Sequence, residues 1–188
     1  MSLIFLLGGI DVDKISMGVH FGMLEAGHMV HINEEGQVIG GNRVAVNAAG
    51  FTIHAAIHRA RPDVDAACHA HSKYGKAWST FGKPLEMISQ DACIFYNDHS
   101  VYSDFGGVVF EDDEGARIAK ALGPKNRSVI LQNHGLLTAG KTVDEAAYCS
   151  PSWRGHVRYS SWWKVLDCRD RLLVMKRLST LIDTMRTL

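Results

Sequence analysis

Three histidines carry the clearest chemistry in this sequence. His69 and His71 stand two residues apart in "DVDAACHAHSKYG", and His134 follows in "VILQNHGLLTAG". Neutral imidazole is a good ligand for zinc and its first-row neighbours. Three protein ligands that leave one position open to substrate or water make a catalytic site rather than a structural one. In a strand, side chains two apart project to the same side, so the H-x-H pair places both rings in one space. Alone, the pair has a plainer reading, one ring buried and the other exposed. His134 supplies the third nitrogen that a metal reading needs, at the end of a predicted buried strand where Gly135 lets the backbone turn sharply.

These residues must be held by elements that the hydrophobic pattern outlines. "MGVHFGMLEAGHMVHINEEGQVIGG", residues 17–41, alternates apolar and polar around an E-E-G turn and predicts a strand pair. From Asn47 the period changes. Ala49, Ile53, Ala56, Ile57 and Ala60 recur at helical spacing, Asn47 is placed to cap the start, and Pro62 closes the helix. His54 and His58 lie one turn apart on it and could meet as a second metal pair. Packing against a sheet or facing solvent is the simpler reading, because nothing acidic completes a site there. "VDAACHAHS" predicts a strand, "SKYGKAWSTFG" a short helix ending at Gly82, and "EDDEGARIAKAL" a helix with acidic residues in the first turn, where they suit its dipole. "RSVILQNHGLLTAG" reads as a buried strand, a bend and a second strand, and "TVDEAAY" starts another helix.

Beyond Tyr148 the character shifts to a tail rich in arginine that holds Trp153, Trp162 and Trp163. It has helical period only from about Val165, where a terminal helix docked on the core is expected. The expected organisation is therefore one domain, residues 1–148, followed by a divergent tail, 149–188. Composition narrows the function. The chain of 188 residues is 46% hydrophobic, enough for one sizeable core. Lysine plus arginine balances aspartate plus glutamate, 20 against 20, so no net field points to nucleic acid or to an acidic membrane surface. Cys68, Cys93, Cys149 and Cys168 lack C-x-x-C spacing, which suits reduced cytosolic thiols better than a disulfide framework. The apolar start "LIFLL" is too short to span a membrane, and the expected location is cytoplasmic.

Taken in order, "IHAAIHRARPDVDAACHAHSKYGKAWSTFGKPL", "ISQD" and "VILQNHGLLTAGKTVDEA" resemble the class II aldolase and adducin head domain family, from about Gly18 to Tyr148. The resemblance implies a three-layer α/β/α sandwich around a mostly antiparallel sheet. It implies a catalytic Zn2+, or another divalent cation such as Mn2+, on His69, His71 and His134, and a homotetramer acting on a small molecule. The implied reaction is carbon–carbon cleavage in a hydroxy-carbonyl compound, with fuculose 1-phosphate as one candidate, the cation stabilising the enediolate as a Lewis acid. Two departures qualify this. The sugar-phosphate aldolases carry a glutamate proton carrier four residues before the position of His54, and Gly50 stands there. No clear version of their G-N-x-S phosphate loop is present. Relatives that decarboxylate aromatic acids on the same site would lose less from the missing glutamate, and adducin heads, which are binding modules, offer a non-enzymatic reading. Among the remaining residues, His99 in "YNDHSVY" is a candidate proton carrier or fourth ligand, or else an ordinary loop histidine. Gln90 and Asp91 are candidates to orient a metal ligand, while Tyr96 and Tyr102 are expected to be core aromatics.

Overall fold

The computed structural model describes residues 2–7, 11–15, 23, 25–104 and 112–148. The expected terminal helix, the three tail tryptophans, Cys149 and Cys168 lie outside them. An eight-stranded sheet runs through the molecule: β1 Ser2–Leu7, β2 Asp11–Ile15, β3 Met29–Ile32, β4 Val38–Gly41, β5 Ala66–Ala70, β6 His99–Tyr102, β7 Ser128–Leu131 and β8 Gly135–Gly140. Their order across the sheet is β4-β3-β2-β1-β5-β8-β7-β6. Every neighbouring pair is antiparallel except β6 and β7, whose parallel pairing requires a crossover, here one containing a helix. The helices are α1 Ala48–Ala60, α2 Lys73–Ser79, α3 Asp112–Leu122 and a last segment, α4, at 143–148.

Strand alternation separates two cores. Val129 and Leu131 of β7 and Leu137 and Ala139 of β8 pack with Ile53 and Ile57 of α1 and Ile118 and Leu122 of α3. Ile130 and Leu136, one residue out of phase, face the other side and pack with Trp78 of α2, Leu85, Ala92 and Phe95. This is the expected layered sandwich. Each fully buried side chain, such as Ile57, Leu131 or Leu137, contributes about 1.5–3 kcal/mol by leaving water.

Local signals explain most boundaries. The Asn47 side chain accepts a hydrogen bond from the Gly50 N–H at 3.1 Å and starts α1, which ends at Arg61, before Pro62. The β3–β4 turn passes through Glu34 and Glu35 to Gly36, at φ +79°, so the expected hairpin is present but begins only at Met29. Two strands, β1 and β2, lie in the N-terminal stretch to which the sequence reading assigned no element. The apolar start was expected only as a short run, yet β1 lies between β5 and β2 near the sheet's centre. A short apolar run has no periodicity to distinguish a strand from a buried helical piece. Tyr102 is a core aromatic at 5% exposure, but Tyr96 is 37% exposed and is not.

Candidate metal centre

β5 is buried along its whole length and delivers His69, 5% exposed, from the middle of the sheet. The His69 Nδ1–H donates to the Leu136 carbonyl of the neighbouring strand at 3.0 Å, which leaves the lone pair on Nε2. His71 follows one residue beyond the strand, exposed, with its Nε2 2.8 Å from that of His69. Because His69 Nε2 accepts, the His71 Nε2–H donates between them. A cation held by both rings would take the place of that proton.

His134 arrives from the turn between β7 and β8, and backbone bonds fix that turn. Gln132 N–H donates to Tyr102 O at 2.9 Å, His134 N–H to Leu131 O at 3.0 Å, and Asn133 N–H to Ser79 O at 3.3 Å. Asn133 itself takes a left-handed conformation, φ 57°, which asparagine tolerates better than most residues. The three ring centroids are then 4.6 to 4.7 Å apart, and their donor nitrogens all lie within 4.8 Å of one another. Among the described residues no other group of three histidines, cysteines, aspartates or glutamates meets this way.

Gly135 makes this convergence possible. A Cβ there would sit 2.6 Å from the Ala70 carbonyl and 3.2 Å from His71 Cδ2. Gly135→Ala must therefore push β8 away from β5 just where the histidines meet. We expect a loss of about 1–3 kcal/mol in urea unfolding, together with weaker metal binding by chelator competition. A variant as stable as the parent would show that the approach is not tight.

Burial sets the charge state of the cluster. It pushes the His69 imidazole down to about 3, helped by the charges that His134 and His71 would carry. His134 is lowered to about 4 by burial first, then by His71 and Lys76, and His71 is lowered chiefly by burial. All three are thus neutral at pH 7, as ligands must be. The donor set suits a divalent cation: three neutral nitrogens, one tautomer set by a carbonyl, and an exposed side at His71.

The other candidates sit apart from this cluster. Both nitrogens of His99 engage backbone: Nδ1–H donates to Phe95 O at 2.6 Å and Nε2 accepts from Leu85 N–H at 2.9 Å. The ring fastens the loop at Leu85 to the start of β6. Gln90 and Asp91 open the 3₁₀ turn Asp91–Phe95, both exposed, and no hydrogen bond joins them to the three imidazoles. His54 and His58 are buried in α1, with His58 Nδ1–H donating to Val64 O at 3.0 Å, and neither joins the metal cluster. Gly50 is buried in the first turn of α1 with its N–H on the Asn47 cap. Sequence reasoning did not find the Leu136 carbonyl, the Ser79 carbonyl or Gly75, at which α2 seats on β8. The one available signal was a glycine inside a helix, in "SKYGKAWS".

The chain is similar to known proteins. The description "Class II Aldolase and Adducin N-terminal domain" matches residues 16–150. The meiotically up-regulated gene 14 protein of Schizosaccharomyces pombe is 48% identical over 130 residues, 69% of this chain and 50% of that protein. The decarboxylase NovR of Streptomyces niveus is 46% identical over 130 residues, 68% of this chain and 43% of that protein. The chain therefore spans half or less of these relatives' own lengths. The solved L-fuculose 1-phosphate aldolase from Glaciozyma antarctica PI12 superposes with a TM-score of 0.78 at 32% identity, covering 99% of this chain and 79% of that one. A family match over most of the described fold, with a relative near half identical, leads to one conclusion: the chain belongs to the class II aldolase and adducin N-terminal domain family.

Proposed function

We propose that His69, His71 and His134 hold a divalent cation, Zn2+ or Mn2+, and that the protein is a metal-dependent lyase acting on a small hydroxy-carbonyl compound. A fuculose-1-phosphate-like ketose is one candidate substrate, and a tetramer is the assembly that the family resemblance suggests. The observation that carries this reading is the convergence of three neutral imidazoles within 4.8 Å, from β5, the residue just past its end and the β7–β8 turn. When bound, the cation supplies Lewis-acid stabilisation of the negative charge that develops as the carbon–carbon bond breaks.

The chain's own residues do the rest. Leu136 holds His69 with its Nε2 lone pair toward the centre, and the turn anchored on Ser79 holds His134. The exposed edge of His71 is where substrate enters, and Gln90 and Asp91 are candidates to support the ligands from outside. Gly50 brings no carboxylate, so in aldol cleavage the substrate hydroxyl gives its proton to solvent at the open side, and the product carbanion takes one from the same solvent. That gap favours a second reading on the same site. Decarboxylation breaks a carbon–carbon bond without first removing a substrate proton, and NovR, a relative at 46% identity, is named a decarboxylase.

The test uses the purified 188-residue chain equilibrated with zinc. About one equivalent per chain after dialysis supports the site, whereas less than about a tenth sinks both lyase readings and leaves an adducin-like binding module. Aldol cleavage of ketose 1-phosphates and decarboxylation of aromatic hydroxy-acids, assayed side by side, then separate the two reactions.

A further inference from the structure

We infer that Gly75 is a positioning residue for the histidine cluster, acting through Leu136. α2 follows His71 directly: Ser72 caps it, accepting from the Gly75 N–H at 3.2 Å, and the helix then lies on β8. Its contact with β8 has no slack. A Cβ at residue 75 would stand 2.7 Å from Leu136 Cδ1, 2.9 Å from Leu136 Cγ and 2.6 Å from the capping Ser72 Oγ.

Leu136 has two jobs that do not depend on each other chemically. Its side chain, 3% exposed, fills the core against Trp78, and its carbonyl receives the His69 Nδ1–H at 3.0 Å. The same residue follows Gly135, which lies against the Ala70 carbonyl. A side chain at 75 that displaces Leu136 therefore moves the carbonyl that chooses the His69 tautomer. With that acceptor misplaced, only the His71 Nε2–H contact still favours the proton on Nδ1, and a ring protonated on Nε2 presents N–H where the cluster needs a lone pair. Glycine in the middle of a seven-residue helix costs up to about 1 kcal/mol of helix propensity. Here it admits Leu136 to within contact of the helix backbone.

The inference is read in metal-free protein, so it stands or falls separately from the lyase reading. Imidazole 15N spectra of the full chain at pH 7.5 should show His69 as a single tautomer, protonated on Nδ1. Gly75→Ala should turn this into a mixture, and Gly75→Ala with Leu136→Ala, which removes the side chain that is struck, should restore the single form. Leu136→Ala alone keeps it. Should Gly75→Ala fail to fold, Gly75→Ala with Leu136→Val keeps part of the clash and should show an intermediate mixture. A parental 15N signature in Gly75→Ala, or in the Val double variant, overturns the inference. So does a double variant with Leu136→Ala that remains mixed. Zinc affinity, read separately by chelator competition, should fall by about 10- to 100-fold in Gly75→Ala. A parent that binds no zinc yet shows the single tautomer would refute the lyase reading and leave this one intact.

Discussion

His134→Ala is expected to lower zinc affinity by more than about 100-fold and to bring the proposed lyase turnover to background, while the urea midpoint changes little. Loss of an outer partner of a metal ligand already costs 10- to 100-fold, so loss of a ligand must cost more. His69 and His71 would remain as a pair with their 2.8 Å Nε2–Nε2 contact, in which one proton is shared. That proton competes with a cation once the third nitrogen is gone. Stability is spared because the turn's backbone N–H groups donate to the carbonyls of Tyr102, Ser79 and Leu131, and alanine keeps those bonds. Elemental analysis after dialysis and chelator competition give the affinity. Zinc retained at the parental level would show that the third ligand is another residue, and a collapse of stability would show that His134 is a structural keystone.

Arg61→Ala is expected to cost about 2–4 kcal/mol of stability in urea unfolding, the largest structural effect of any change at the "RPD" stretch. The guanidinium is 7% exposed at its side chain and makes a two-pronged ion pair with Asp63, both contacts at 2.7 Å. Its third nitrogen donates to the carbonyls of Gly123 and Asn126, each at 2.9 Å, just past the end of α3. Arg61 thereby joins the C-terminal ends of α1 and α3, a position where a cation suits both helix dipoles. Alanine leaves two carbonyls without their donor, and each unsatisfied group costs about 1–3 kcal/mol.

Asp63 itself contributes less, because its side chain is 52% exposed. Hydrogen bonds from Arg61 hold its carboxyl down to about 2. Its contribution is therefore complete above about pH 4, the range of a free carboxylate, and is lost as pH falls through 2. Solvent screening limits that contribution to about 1 kcal/mol or less. Asp63→Asn should weaken the fold by no more than this at pH 7 and flatten the acid limb of the stability curve. A loss in Arg61→Ala no greater than in Asp63→Asn would show that the two carbonyl contacts stabilise nothing.

The sequence alone was enough to nominate His69, His71 and His134, because the period of a strand is local; the turn itself bends at Asn133, in the left-handed region, and Gly135, expected to free it, is the first residue of β8. The α1 cap at Asn47 and the hairpin turn at Gly36 were legible for the same reason: each is decided by residues within four positions. The sheet order was not. β1 enters between β5 and β2 from a stretch whose short apolar run carries no directional information. His99 was equally opaque, since two backbone groups, Leu85 N–H and Phe95 O, consume its nitrogens, and a backbone group has no letter in the sequence.

What the sequence by itself determined is the chemistry available: three imidazoles on strand and turn and no net charge to steer a polyanion, with the family resemblance adding that Gly50 stands where the sugar-phosphate aldolases carry a glutamate. What only the tertiary structure decided is whether the nitrogens of those imidazoles meet at one point. That depends on the Leu136 carbonyl beside His69 and on the Ser79 carbonyl under the turn of His134, contacts between residues about 67 and 54 positions apart. Side-chain identity fixes which atoms can bind. Long-range backbone packing fixes which way they point.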